Sequence, residues 1–472
     1  MKKIFMNRIG RRQFIKTSLS GLALVALPRI SFAQSNPDVV VIGGGSSGLA
    51  ATAELMKQGK SVICIDAMSR KGGRAYTDHS IFGIPYDMGC HWLHNFSGNH
   101  LAKWGKKQKN LTIYKLKEKY VVYEGDKRIK GMKMGSLWGK LENLLYSEAN
   151  AKKDVPFWDL IPQKLKEKPW FDSAQQAIGA CSPARDLNNL TPNDDWENWT
   201  GKGKGDGFCT EGYGTLLHQL RKDVPVKVKT IAKEIKWDGN GVKVETNEGT
   251  ISAKACIVTV SQGVLGSGKI KFTPALPNIK YEAFDGITMG SYNHITFQLK
   301  DEFYEEFKIK PDAYLSMRIE SNIGEPSFSP KGSCATMRNQ GTNISYFDVG
   351  GQFGKDLEAE GSEASIDFIK NRLRKAFGSD VDKYFIKAHV TAWGKNPWVM
   401  GSYSGAIPGK AKLRKVLKES VGDKIFFAGE ATSGQMATCH GADLTGTRAA
   451  KELIKKAKVA QWFINSPIKK AS

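Results

Sequence analysis

The sequence predicts an α/β protein built on a parallel sheet, and three observations carry that expectation. The first is the apolar run Val39-Val40-Val41-Ile42, which reads as a strand covered on both faces. The second is the turn Gly43-Gly44-Gly45-Ser46-Ser47-Gly48, followed by the helix-compatible Leu49-Ala50-Ala51-Thr52-Ala53-Glu54-Leu55. The third is another apolar run, Ser61 to Ile65, closed by Asp66 eighteen residues after Gly48. Together they form a dinucleotide-binding βαβ unit of the Rossmann-like kind. Gly43 permits the tight turn, Gly45 lets backbone approach a pyrophosphate, and Gly48 lets helix pack on strand. Ser47 lies in the same turn, at the helix N-terminus where phosphates are favoured. Asp66, with Ala67 after it, is placed to accept hydrogen bonds from an adenosine ribose diol and to repel a 2′-phosphate.

A chain of 472 residues can bury a large core and form two domains, and its 40% hydrophobic and 25% charged content excludes disorder. At the N-terminus, Arg11-Arg12-Gln13-Phe14-Ile15-Lys16 precedes an apolar run from Leu19 to Leu27 and then Ser31-Phe32-Ala33. This resembles a twin-arginine signal peptide, with cleavage after the small residues. The apolar run is far shorter than the roughly 20 residues of a membrane span. The expectation is a folded protein that takes up its cofactor first and then leaves through the twin-arginine translocase, to be periplasmic or secreted.

Cleavage removes seven Lys and Arg residues, so the formal charge falls from +23 to +16. The remaining lysines are scattered rather than gathered in a stripe, which argues against nucleic-acid binding. The basic C-terminal tail, with Trp462 and Phe463, allows weak membrane contact at most. Seven cysteines without CxxC spacing predict no metal site, and the odd number leaves at least one free thiol.

Two further stretches decide which dinucleotide is bound. Arg70-Lys71-Gly72-Gly73-Arg74-Ala75 follows the acidic strand end, and Phe426-Phe427-Ala428-Gly429-Glu430-Ala431-Thr432 lies near the C-terminus. Both resemble the flavin-containing amine oxidase family, of the polyamine and monoamine oxidase kind. The resemblance implies FAD, with Gly73 and Arg74 at the pyrophosphate and Gly429 and Glu430 at the ribityl chain. It continues through Tyr86 to His94, through Ala232, whose backbone is expected against adenine, and through Lys254 to Leu265.

The implied fold is a Rossmann-like FAD-binding domain with an interleaved α+β substrate domain. The FAD-binding domain is expected to comprise residues 36–105, 206–286 and 391–455, and the substrate domain 106–205 and 287–390. The leader occupies 1–33 and the basic tail 456–472. Val226-Lys227-Val228 and Ala232 to Ile235 alternate as strands, as does His294 to Leu299, while Ile366 to Phe377 has helical periodicity. Met132 to Trp199 reads as mostly helical.

At the reaction centre, Trp393 resembles the tryptophan that flanks the flavin and Tyr403 the tyrosine forming one wall of an aromatic cage. An electron-rich ring can hold an amine's cation on entry and orient the neutral form. Ser402 stands where some monoamine oxidases carry a flavin-linking cysteine, so the FAD is expected to be noncovalent. Thr438-Cys439-His440-Gly441-Ala442 resembles the polyamine oxidase stretch that lacks the second cage tyrosine, with the backbone after Thr438 at the flavin pyrimidine. His294 stands where the family has a lysine that holds a water near flavin N5, and it is expected to take over that water.

The resulting expectation is an exported FAD-dependent amine oxidase or dehydrogenase. The amine's α-carbon gives a hydride to flavin N5, the imine hydrolyses, and electrons pass to O₂, giving H₂O₂, or to a periplasmic carrier. An L-amino-acid oxidase, with Arg318 or Arg338 clamping a carboxylate, and a non-catalytic flavin-binding protein are the other readings. The mature charge of +16 does not favour polycationic substrates.

Overall fold

The computed structural model describes residues 36–117, 119–194, 204–320 and 326–459. The expected leader and residues 460–472 of the expected tail lie outside them.

Val39–Ile42 is a strand with all four residues buried. It pairs in parallel with Val62–Ile65 on one side and Ala255–Val258 on the other, and Ile425–Phe427 completes a four-stranded sheet. Continuous burial on both faces is why these strands read as unbroken apolar runs. The helix Ser46–Lys57 follows the glycine turn and packs on the long helix Cys439–Val459. Ala51 and Leu55 meet Ala449, Ala450, Leu453, Ile454 and Ala457 in one core cluster. The two backbones come so close that a Cβ on Gly446 would lie 1.9 Å from the Ser47 carbonyl oxygen. The stretch expected to begin a basic tail is therefore, to Val459, the end of this helix. Its apolar face has a core to enter.

Beside this sheet, Ala232–Lys236 joins Val242–Thr246, Gly249–Ala253 and Lys271–Thr273 in a second, four-stranded sheet. The expected strand at Val226-Lys227-Val228 does not form. Lys227 makes only an isolated bridge to Ile65, and Lys229, at φ +55°, turns the chain away.

The third sheet has seven strands, ordered Phe385–Val390, Tyr292–Leu299, Ile344–Gly350, Cys334–Met337, Ala313–Met317, Lys119–Glu124 and Lys127–Ile129. Tyr292–Leu299 runs antiparallel to Ile344–Gly350 in a register that sets His294 opposite Asp348. The helix Ser362–Phe377 buries Ile369, Leu373 and Ala376 in the core formed with this sheet. The region read as helical contains Met132–Leu145 and Phe171–Ile178, which share a separate cluster with Phe157 and Trp170.

Candidate active site

One cavity of about 540 Å³ runs from the glycine turn to the seven-stranded sheet. Gly43, Gly45, Ser47, Asp66, Ala67, Gly73, Arg74, Ala232, Gly429, Glu430 and Cys439 line it, as do Trp393, Tyr403, His294 and Thr438. Of the residues expected to bind cofactor or act in catalysis, Gly48 alone is not on its wall. A Cβ there would fall 1.8 Å from the Gly43 carbonyl oxygen, so Gly48 serves the close packing of helix on strand.

The glycine turn has room for an extended ligand. A Cβ on Gly45 would meet nothing nearer than the Gly73 Cα at 4.0 Å, and the Gly44 amide donates to the Asp66 Oδ2 at 2.6 Å. The Met68 amide donates to Oδ1 at 2.7 Å, which leaves lone pairs on both oxygens for hydroxyl donors. Burial pushes the Asp66 pKa up, while these amides and the Arg70 charge hold it back.

Residues far apart in sequence meet at the middle of the cavity. Arg74 Nη1 lies 3.3 Å from Glu430 Oε1 and donates to the Ser402 carbonyl. Glu430 also accepts from the Ser404 amide at 3.0 Å, the Ser404 hydroxyl at 2.9 Å and the Ala437 amide at 3.1 Å. Thr438 caps the last helix, its Oγ1 accepting from the Gly441 amide at 3.0 Å. His440 is off the wall, bonded to Gln435 Oε1 at 2.5 Å, with burial pushing its pKa down to about 3. It supports the turn.

The far end is aromatic. Trp393 donates from Nε1 to the Met88 carbonyl at 2.9 Å and from its amide to Asn293 Oδ1 at 3.0 Å. Tyr403 donates to the Ser182 carbonyl at 2.6 Å, and its ring centroid lies 5.7 Å from that of Tyr292. Trp92 and Tyr314, stacked at 5.8 Å and nearly coplanar in orientation, add to the wall. Tyr292 and Tyr314 carry no motif. Their only signal in the sequence was alternation along a strand.

His294 is placed differently from the water-holding role expected of it. Its Nδ1 is 2.5 Å from Asp348 Oδ1 and its Nε2 is 2.9 Å from the Gly89 carbonyl oxygen. Burial works against a charge here, but the Asp348 carboxylate, its hydrogen bond and the Gly89 carbonyl raise the pKa above the ordinary 6.5. Both nitrogens are donors to protein acceptors, so neither has a lone pair to offer a water. His91 stacks on this ring at 4.9 Å. Burial, followed by the charge of His294, drives the His91 pKa well below its usual value. At the cavity's outer side His94 pairs with Asp206 at 3.1 Å. Asp348 had no motif to announce it, whereas His91 lies within the stretch Tyr86 to His94; strand register and chain crossing bring both to His294.

Two family models match in sequence order: an NAD(P)-binding Rossmann-like domain over residues 41–105, and Flavin containing amine oxidoreductase over residues 194–454. The chain belongs to the flavin containing amine oxidoreductase family. It is 27% identical to Polyamine oxidase 4 of Oryza sativa subsp. japonica, over 89% of each chain. It is 28% identical to Polyamine oxidase 2 of Arabidopsis thaliana, over 88% of each. Among solved structures, putrescine oxidase bound to putrescine aligns with a TM-score of 0.70 at 17% identity, covering 89% of this chain and 99% of that one. Cyclohexylamine oxidase from Brevibacterium oxydans aligns at 0.70 and 18%, covering 90% and 100%. The protein is thus a flavin-dependent oxidoreductase acting on amines, with FAD as its cofactor.

Proposed function

We propose that the protein is an exported amine oxidase that holds FAD noncovalently. It oxidises the C–N bond of a small amine to an imine, which water hydrolyses, and delivers the electrons to O₂ as hydrogen peroxide. The observation that carries this reading is the single cavity joining Gly45 and Asp66 to Tyr403 and His294. When bound, FAD supplies the acceptor for a hydride from the amine's α-carbon, at its N5.

The chain's own residues bind and orient. Gly45 and the start of the helix Ser46–Lys57 receive the pyrophosphate with Arg74, Asp66 takes the ribose, and Glu430 takes the ribityl hydroxyls. Trp393 and Tyr403, each fixed by a backbone carbonyl, present rigid rings to the amine. In this reading residues 36–105, 206–286 and 391–455 form the cofactor domain, and 106–205 with 287–390 form the substrate domain.

Anaerobic mixing with monoamines, cyclic amines, polyamines and amino acids tests the reading. Loss of the flavin's visible absorbance with an amine, and peroxide on admitting air, are expected. An FAD-loaded protein that no amine bleaches would be the non-catalytic alternative. Bleaching without peroxide would point to a carrier as acceptor. The two arginines considered for an amino-acid substrate are placed elsewhere: Arg318 is bonded to Glu124 and the Pro169 carbonyl, Arg338 lies 4.0 Å from Asp301, and neither lines the cavity. Export rests on Arg11, Arg12 and the run that follows. Replacing both arginines with lysine is expected to leave the protein in the cytoplasm on cell fractionation.

A further inference from the structure

Two cysteines from distant parts of the chain meet at the substrate end of the cavity. Cys334 opens the strand Cys334–Met337 and pairs in register with Asp348. Cys181 follows the helix Phe171–Ile178, and its thiol lies 3.7 Å from the Asp348 carbonyl oxygen. Both side chains line the cavity beside Asp348, and neither is in a disulfide. A third group faces them. Arg372 interacts electrostatically with both sulfurs, and its Nε is buried without a hydrogen-bond partner. The thiolate is the form of a cysteine that reacts with peroxides. The Cys181 thiol donates to the Asp348 carbonyl oxygen and is committed there, which leaves Cys334 as the attacking sulfur.

We propose that Cys181 and Cys334 form a peroxide-oxidisable dithiol at the mouth of the substrate site, and this rests on the oxidase reading above. The Cys334 thiolate attacks one oxygen of hydrogen peroxide, the O–O bond breaks, and a sulfenic acid and hydroxide form. The Cys181 sulfur then attacks the Cys334 sulfur, the S–O bond breaks, and the hydroxyl leaves with the Cys181 proton as water. Overall two thiols and one peroxide give one disulfide and two waters. The bond would tie the turn before Ser182, which holds Tyr403, to the strand beside Asp348, which holds His294. Product would thereby act back on the substrate end of the cavity.

The test adds hydrogen peroxide to the FAD-loaded protein, so it does not depend on the enzyme making its own. The free-thiol count on the unfolded protein is expected to fall from seven by two. A Cys181–Cys334 linked peptide should appear on mass mapping, and dithiothreitol should reverse both changes together with a shift in KM. Cys181→Ser should leave a sulfenic acid at Cys334 that dimedone captures, and Cys334→Ser should leave none. Matching thermal melts of both variants establish that they fold. Seven thiols surviving peroxide would overturn the proposal, as would a link joining Cys90 to Cys439 instead. If external peroxide makes the bond but amine turnover makes no peroxide, the dithiol stands and the oxidase reading falls.

Discussion

His294 and Asp348 stand directly opposite one another on antiparallel strands, and a 2.5 Å hydrogen bond joins them with side chains only 4% and 5% exposed. The carboxylate and the Gly89 carbonyl favour the protonated imidazole. Because its folded pKa is raised, the pair's contribution to stability is fully present below the ordinary value of 6.5 and is lost as pH rises through the folded one. Wild-type denaturation midpoints should therefore decline above about pH 6.5. Asp348→Asn should abolish that slope and cost about 3–5 kcal/mol, since one buried partner is left alone. Urea titrations over a pH series check both.

The two glycines Gly45 and Gly48 should fail differently. Gly48→Ala forces a Cβ into the Gly43 carbonyl, and the protein should be recovered poorly and melt several degrees lower. Gly45 has φ −73° and open space, so Gly45→Ala should fold normally yet bind FAD at least about tenfold more weakly, a loss of roughly 1.4 kcal/mol. Comparing thermal melts of apoprotein with FAD titrations separates the two.

Arg74→Ala removes a charge-assisted partner from Glu430 and a contact expected at the pyrophosphate. FAD affinity should drop by about 10–100-fold, in line with roughly 1.5–3 kcal/mol for a hydrogen bond to a charged group. The ratio of flavin to protein absorbance after gel filtration reads this directly.

Tyr403→Phe loses only the bond to the Ser182 carbonyl, and kcat/KM should fall by no more than about fivefold, or roughly 1 kcal/mol. Tyr403→Ala also removes the ring, and a fall beyond about 30-fold is expected, roughly 2 kcal/mol. Steady-state kinetics on one amine suffices.

Much of this was legible because the cofactor end is made of local patterns. Val39 to Asp66 carries strand, turn, helix and acid within one short stretch, and Arg74 and Glu430 sit in stretches that resemble those of the flavin-containing amine oxidase family. The substrate end resisted reading for the opposite reason. Asp348 and Tyr292 reach the cavity through strand register and chain crossing, which no single stretch encodes. His294 could be found, but not its partners, so a water-holding role was expected where the geometry has both nitrogens committed. The false strand at Val226 to Val228 shows the same limit, since alternation there ends at the left-handed turn of Lys229.

The parallel sheet takes its last strand, Ile425–Phe427, from near the end of the chain, and Glu430 and the helix Cys439–Val459 follow it. Assembly of the cradle therefore needs both Val39–Ile42 and Ile425–Phe427. Sheet closure waits for long-range pairing across most of the sequence, which is slow. A product ending before Ile425 lacks that strand and Glu430, and should stay colourless.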